Sequence, residues 1–126
     1  MKNPNDGFLR GRLRSIKFSL KGIWLLLTTE DSIKLQLIFG LISIGIACYF
    51  NISATEWMLQ LIVWSLVLVA EASNTAVEKM ADFVHPEYHK KIGFIKDIAA
   101  GAPGVAAIFA LIIAAIIYTP KILALF

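Results

Sequence analysis

The chain has 126 residues, 58% of them hydrophobic, a mean hydropathy of +0.73 and a formal net charge of +3. So apolar a composition excludes an ordinary water-soluble domain and identifies an integral membrane protein. The single cysteine, Cys48, excludes an intrachain disulfide and reads as a small packing or lipid-facing residue.

In chain order, Asn3 to Gly7 reads as a frayed leader. Phe8 to Leu27 then sets Phe8, Leu9, Leu13, Ile16, Leu20, Ile23 and Trp24 at spacings of three and four among arginines and lysines. This pattern predicts an amphipathic helix over 8–28 lying in the interface plane, apolar face down. Lys2, Arg10, Arg12, Arg14, Lys17 and Lys21 crowd this end, which fits anionic lipid headgroups; no nucleic-acid partner is expected. Thr28, Thr29, Glu30 and Asp31 read as the break that follows, with a threonine cap.

Three long apolar stretches come next. About twenty residues at a rise of about 1.5 Å cross a ~30 Å hydrocarbon core. The uncharged run Leu35 to Thr55 predicts a first span over 33–53. It starts too late, runs too long and lacks the small-residue site of a cleaved signal peptide. Trp57 to Ala70 is too short alone, so its helix must continue into an acidic segment, giving a span over 57–84. His85 and Pro86 open the second loop, because proline disfavours helix for the residue before it. Ile98 to Thr119 completes a third span, 93–119, ended by Pro120 and Lys121. Trp24, Trp57 and Tyr118 are placed in the aromatic belts, and Trp64 on a lipid or packing surface. Cations flank the N-terminus and the second loop (Lys79, Lys90, Lys91, Lys96), whereas Asn51 to Glu56 has none. The N-terminus and second loop are therefore expected on the cytoplasmic side and the C-terminus outside.

The acidic segment is VLVAEASNTAVEKMAD, Val67 to Asp82. At about 100° per residue, with Glu71 at zero, Asn74 falls near −60°, Thr75 near +40°, Glu78 near −20° and Asp82 near +20°. All five share one face, and about 10 Å separates Glu71 from Glu78, too far for two carboxylates to share a proton. A carboxylate near hydrocarbon costs several kcal/mol, roughly, unless paired, ligated or hydrated, so intramembrane acids are functional candidates. The alternative is a set of solvated acids on an emerging helix, paired with Lys79 or Lys96.

Topology gathers Glu30, Glu71, Glu78, Lys96 and Asp97 at one membrane face. Carboxylates with a lysine suit a hard divalent cation together with phosphate, and a deeper carboxylate could take a proton from a lipid hydroxyl. That is what phosphoryl transfer to a membrane alcohol requires. A rival of another class is a non-enzymatic oligomer carrying protons or ions along the polar stripe, which would not need Glu30, Lys96 and Asp97 on one side. Ala102, Ala106, Ala110 and Ala114, with Gly40 and Gly45, offer smooth surfaces for close helix approach, within the chain or between chains. His85 and His89 lack partners at metal-ligand spacing, and no zinc site is expected.

The series Glu71-x-x-Asn74-Thr75-Ala76-Val77-Glu78, then Asp82, Glu87-Tyr88-His89 and Lys96-Asp97, with Lys21-Gly22 and Glu30 upstream, resembles the signature of the prokaryotic diacylglycerol kinase family, which includes the undecaprenol kinases. The resemblance implies an all-α membrane protein, a surface helix plus three transmembrane helices, forming a homotrimer in the bacterial cytoplasmic membrane. It also implies transfer of the γ-phosphoryl group of ATP to diacylglycerol or undecaprenol, with undecaprenol slightly favoured by the shorter-loop relatives. By similarity Glu71 is the catalytic base, Glu30 and Glu78 hold Mg2+, and Lys96 contacts the ATP phosphates. Asn74 and Asp97 position groups around the nucleotide, Asp82 sits further to the cytoplasmic side, and Ser19 and Lys21 help cover the site. His89 would have a structural or nucleotide-side role at most. Two departures stand out: Phe94 replaces a frequent arginine, and Ala102-Pro103-Gly104 should kink the third span.

Overall fold

A computed structural model describes residues 7–126, so residues 3–6 of the expected leader lie outside it, while Gly7 is the N-cap of the first helix. Four helices follow: α1 (Phe8–Thr29), α2 (Asp31–Tyr49), α3 (Ala54–Val84) and α4 (Lys90–Leu123). There is no strand among the described residues, and α2, α3 and α4 are long and apolar enough to cross a membrane. The fold is therefore an all-helical membrane protein with an N-terminal helix ahead of three spans.

α1 packs on α2 and buries none of its own residues. Phe8, Leu9, Leu13, Ile16 and Trp24 stay exposed, the apolar stripe a headgroup boundary would cover. Glu30 breaks the chain in extended conformation (φ −107°, ψ 111°), closing α1 and opening α2. The expected threonine cap is absent. The Thr28 hydroxyl donates back to the Trp24 carbonyl at 2.8 Å, and the Thr29 hydroxyl lies 2.8 Å from the Leu25 carbonyl. Back-bonding to the preceding turn is open to any helical threonine and here outcompetes capping the next helix.

α2 stops at Tyr49, short of the expected residue 53, because the chain turns at residues 50–53 with Asn51 in the left-handed region (φ 47°). Asparagine tolerates that region better than most residues. Ser53 then starts α3 through a reciprocal box: its hydroxyl accepts from the Glu56 amide, and the Glu56 carboxylate accepts from the Ser53 amide. Ala47, Ile52 and Ile117 form a small buried core beneath this turn.

α3 has 31 residues and α4 has 34, against 19 in α2. At 1.5 Å per residue they measure about 46, 51 and 28 Å, so α3 and α4 overhang a ~30 Å hydrocarbon core as a two-helix stalk. They pack together more extensively than any other pair. On α3 the buried positions Val67, Asn74 and Ala81 recur every seven residues, the repeat of a packed helix seam. α3 ends at Val84 with His85 as its C-cap, as the His-Pro signal predicts. α4 begins at His89, whose ring nitrogen accepts from the Lys91 amide at 3.2 Å.

α4 continues as a helix through both Pro103 and Pro120 to Leu123, beyond the residue expected to end the last span. A proline inside a helix removes one ladder bond, and for Pro103 the group left without that donor is the Ala99 carbonyl. Toward the end of the bundle remote from the acidic segment, Trp64 lies over Gly40, and its indole N–H donates to the Gln36 carbonyl at 3.2 Å. The Gln60 amide donates to the Ser43 carbonyl at 3.1 Å, and the Tyr118 hydroxyl donates to Gln60 Oε1 at 2.5 Å, so one side chain joins three helices. Tyr118 is thus a half-buried bundle residue as well as a candidate for the aromatic belt.

Candidate active site

Three elements meet at the acidic end: the α1–α2 break, the polar turns of α3 and the first turns of α4. Glu30 is placed by the break. Its carboxylate accepts from the Thr29 hydroxyl at 2.5 Å and pairs with Lys79 of α3 at 3.0 Å. The Thr29 hydrogen bond, then the Lys79 ammonium, hold its pKa below the ordinary carboxylate value. Lys79 is the site residue that sequence reasoning missed in this role. It had been weighed only as a counter-ion for the α3 acids, and nothing in its spacing marks a partner at the start of another helix.

On α3, Asn74 and Thr75 are buried, 7% and 6% exposed. The Asn74 amide donates to Glu78 Oε1 at 3.1 Å across one turn, while Asn74 Oδ1 is buried with no partner. Such an orphan acceptor is uncommon in native structures and marks a place where a ligand, ion or water belongs. Glu71, one turn deeper, is half-buried and makes no hydrogen bond or ion pair among the described residues. Asp82 is exposed and pairs with Lys96 of α4 at 2.9 Å, the arrangement that the solvated-acid alternative foresaw for this residue. Glu78 lies near enough to act electrostatically on the same ammonium.

The expected residues are thus partly brought together. Asn74 and Glu78 touch, Asp82 pairs with Lys96 while Glu78 acts on it only through the electrostatic field, and Glu30 reaches α3 through Lys79 rather than Glu78. Among the described residues no three carboxylate, histidine or cysteine side chains converge as a ready-made metal cage. Asp97 and Phe94 are exposed on α4, and Ser19 and Lys21 are exposed on α1, the Ser19 hydroxyl donating to the Ser15 carbonyl. None of these four reaches an α3 side chain by hydrogen bond or ion pair within this chain. His85 and His89 lie ring to ring at 5.1 Å on the loop and serve its backbone, His85 through the Glu87 carbonyl and His89 as the α4 cap.

Among the described residues, a half-buried carboxylate without a partner thus lies one to two turns from an orphan amide oxygen and a second carboxylate, with a lysine of α4 nearby, groups chemically able to hold a proton and phosphate. The family model for prokaryotic diacylglycerol kinase matches residues 17–118. The chain belongs to that family. The matched stretch contains every residue of the site, from Ser19 to Asp97. The chain is 30% identical to the diacylglycerol kinase of Escherichia coli (strain K12) over 112 residues, covering 89% of this chain and 91% of the relative. It is 28% identical to the undecaprenol kinase of Bacillus subtilis (strain 168) over 102 residues, 81% and 83% of the two chains. A diacylglycerol kinase of Synechocystis is 29% identical over 114 residues, 90% of this chain and 65% of the relative. This prokaryotic diacylglycerol kinase family member is accordingly an enzyme of the lipid kinase class.

Proposed function

We propose that this lipid kinase transfers the γ-phosphoryl group of ATP to the hydroxyl of a membrane lipid, diacylglycerol or undecaprenol, at the cytoplasmic face of a bacterial inner membrane, as a homotrimer with its N-terminus inside. The observation that carries the reading is Glu71, a half-buried carboxylate with no hydrogen bond or ion pair among the described residues, set about 10 Å from Glu78 along one helix. A base held there lies toward the lipid, and phosphate-handling groups lie toward water.

In this reading the Glu71 carboxylate takes the proton of the lipid hydroxyl while that oxygen forms its bond to the γ-phosphorus. The bond from the γ-phosphorus to the β,γ-bridging oxygen breaks, and ADP leaves with the electron pair. Lys96 exchanges Asp82 for the nucleotide phosphates, a charge-for-charge swap that keeps the ammonium satisfied. Asn74 and Asp97 orient the nucleotide, Asp82 receives its outer part, and Ser19 and Lys21 of α1 close over it. Glu30, Glu78 and the orphan Oδ1 of Asn74 are hard oxygen donors of the kind Mg2+ takes, and one or two carboxylates suffice for an ion whose other positions go to phosphate and water. When bound, Mg2+ supplies neutralisation of the phosphate charge. For this set to form, Glu30 must leave Lys79.

The decisive experiment supplies γ-labelled ATP to the purified protein in lipid, with diacylglycerol and undecaprenol offered separately. Labelled lipid phosphate from either acceptor is expected. Label in neither, with folded protein, would overturn the proposal and favour the proton-carrying oligomer.

A further inference from the structure

Away from the polar end, α2, α3 and α4 enclose a groove of about 550 Å3 whose walls carry no charged residue. That volume is within the ~300–1,000 Å3 range of small-molecule sites. Its lining reaches Ser32, two residues from Glu30, and Val67, one turn from Glu71, and this end is taken as its mouth. Small side chains from α4, Ala110 and Ala114, keep it open. From Ser32 to Ser43 it runs about 17 Å along α2, little more than one leaflet of a ~30 Å core.

At the far end it meets the clasp in which Gln60 of α3 accepts from Tyr118 and donates to Ser43, with Trp64 seated on Gly40 beside it. The polar atoms of the clasp already satisfy one another, and the Trp64 N–H is taken by the Gln36 carbonyl. Beyond the Ser32 and Gln36 side chains at its near end, the groove offers an occupant almost only hydrocarbon contact, so its length suits an alkyl chain rather than a headgroup or nucleotide.

We infer that this groove seats a hydrocarbon tail of the acceptor lipid, and that the Gln60–Tyr118–Ser43 clasp is its floor, making Gln60 and Tyr118 determinants of tail length. The inference rests on the kinase reading, because the mouth is useful only if the hydroxyl at the head of that tail meets Glu71. A chain that ends near the bilayer midplane fits between mouth and floor, whereas a longer one must bend out toward lipid. The inference therefore favours the acyl chains of a diacylglycerol over a long polyprenyl chain.

The test measures kcat/KM on diacylglycerols that differ only in acyl length, for the wild type, Gln60→Ala and Ala110→Leu in bilayers of one composition, with the KM for ATP as internal reference. The wild type should show an optimum at leaflet-length chains. Gln60→Ala, which removes the floor, should shift it to longer chains, with the long-to-short ratio of kcat/KM rising at least threefold. Ala110→Leu, which fills the groove, should depress long-chain acceptors severalfold more than short ones. Should Gln60→Ala fail to fold, Tyr118→Phe opens the same clasp with nearly unchanged volume and should shift the profile in the same direction. A length profile identical in all variants overturns the inference and assigns the groove to a neighbouring chain. No phosphorylation of any acceptor by the wild type would instead be a failure of the kinase reading.

Discussion

The two ends of the bundle are built from the same residue types and arranged to opposite effect. At the remote end Glu56 closes the Ser53 box and also pairs with Lys121 at 3.0 Å, while Gln60, Ser43 and Tyr118 satisfy one another beside a small apolar core. At the acidic end Glu71 has no partner among the described residues, Asn74 Oδ1 is orphaned, and Asp82 and Lys96 meet where water reaches both. Unspent polar groups cost stability, so a fold keeps them where a ligand will complete them. The comparison separates an end that holds the helices from an end that the proposed function assigns to substrate.

Substitutions at each end should therefore fail in different currencies. The largest effect is expected from Glu71→Gln, which removes a base: turnover should fall by roughly 10²–10⁴-fold, with ATP binding retained in a binding assay. Normal turnover would show that the base lies elsewhere. Lys96→Met should lower kcat/KM for ATP by roughly 10–100-fold, the loss of one charge-assisted phosphate contact, while leaving thermal unfolding in detergent little changed because the Asp82 pair is solvated. At the other end Gly40→Ala should lower stability by about 1–3 kcal/mol, since a methyl group there would run into the Trp64 indole; the loss should appear in thermal unfolding before it appears in chemistry.

The smallest effect belongs to the Glu30 tie. Its pKa is depressed below the ordinary 4.5, so its stabilising contribution is complete above that value and is lost as pH falls through the lowered one. Lys79→Met should flatten the acid limb of a stability-against-pH profile below about pH 4.5, with little change at neutrality. An unchanged acid limb would mean that Thr29 alone sets the shift.

Much of this was legible in the sequence, for definite reasons. The three helices long and apolar enough to span, the Asn51–Glu56 turn and the His85–Pro86 stop are written in hydropathy and in proline chemistry, which act locally. The shared face of Glu71, Asn74, Thr75 and Glu78 follows from helical geometry alone. Pairings between helices do not, because nothing in the neighbourhood of Lys79 tells it to meet Glu30, and nothing in that of Gln60 tells it to meet Tyr118. Local rules also misplaced the threonine cap, where back-bonding to the preceding turn won, and did not show that the α4 helix carries Pro120 without breaking. The Glu71 environment was legible as a position and illegible as a vacancy of partners, since only the packed chain shows which cations found other carboxylates.

The unequal lengths of α2 and α3 bear on the host bilayer. Glu30 ties the start of the short helix to Lys79, about two turns beyond Glu71 on the long one. A lipid hydroxyl, by contrast, rides at the height of the headgroups. Thickening the membrane raises the hydroxyl relative to the carboxylate, and thinning it does the reverse, at a mismatch cost of fractions of a kcal/mol per ångström, roughly. Under the proposed reaction, acyl composition would thereby become an input to the rate without occupying any site on the protein.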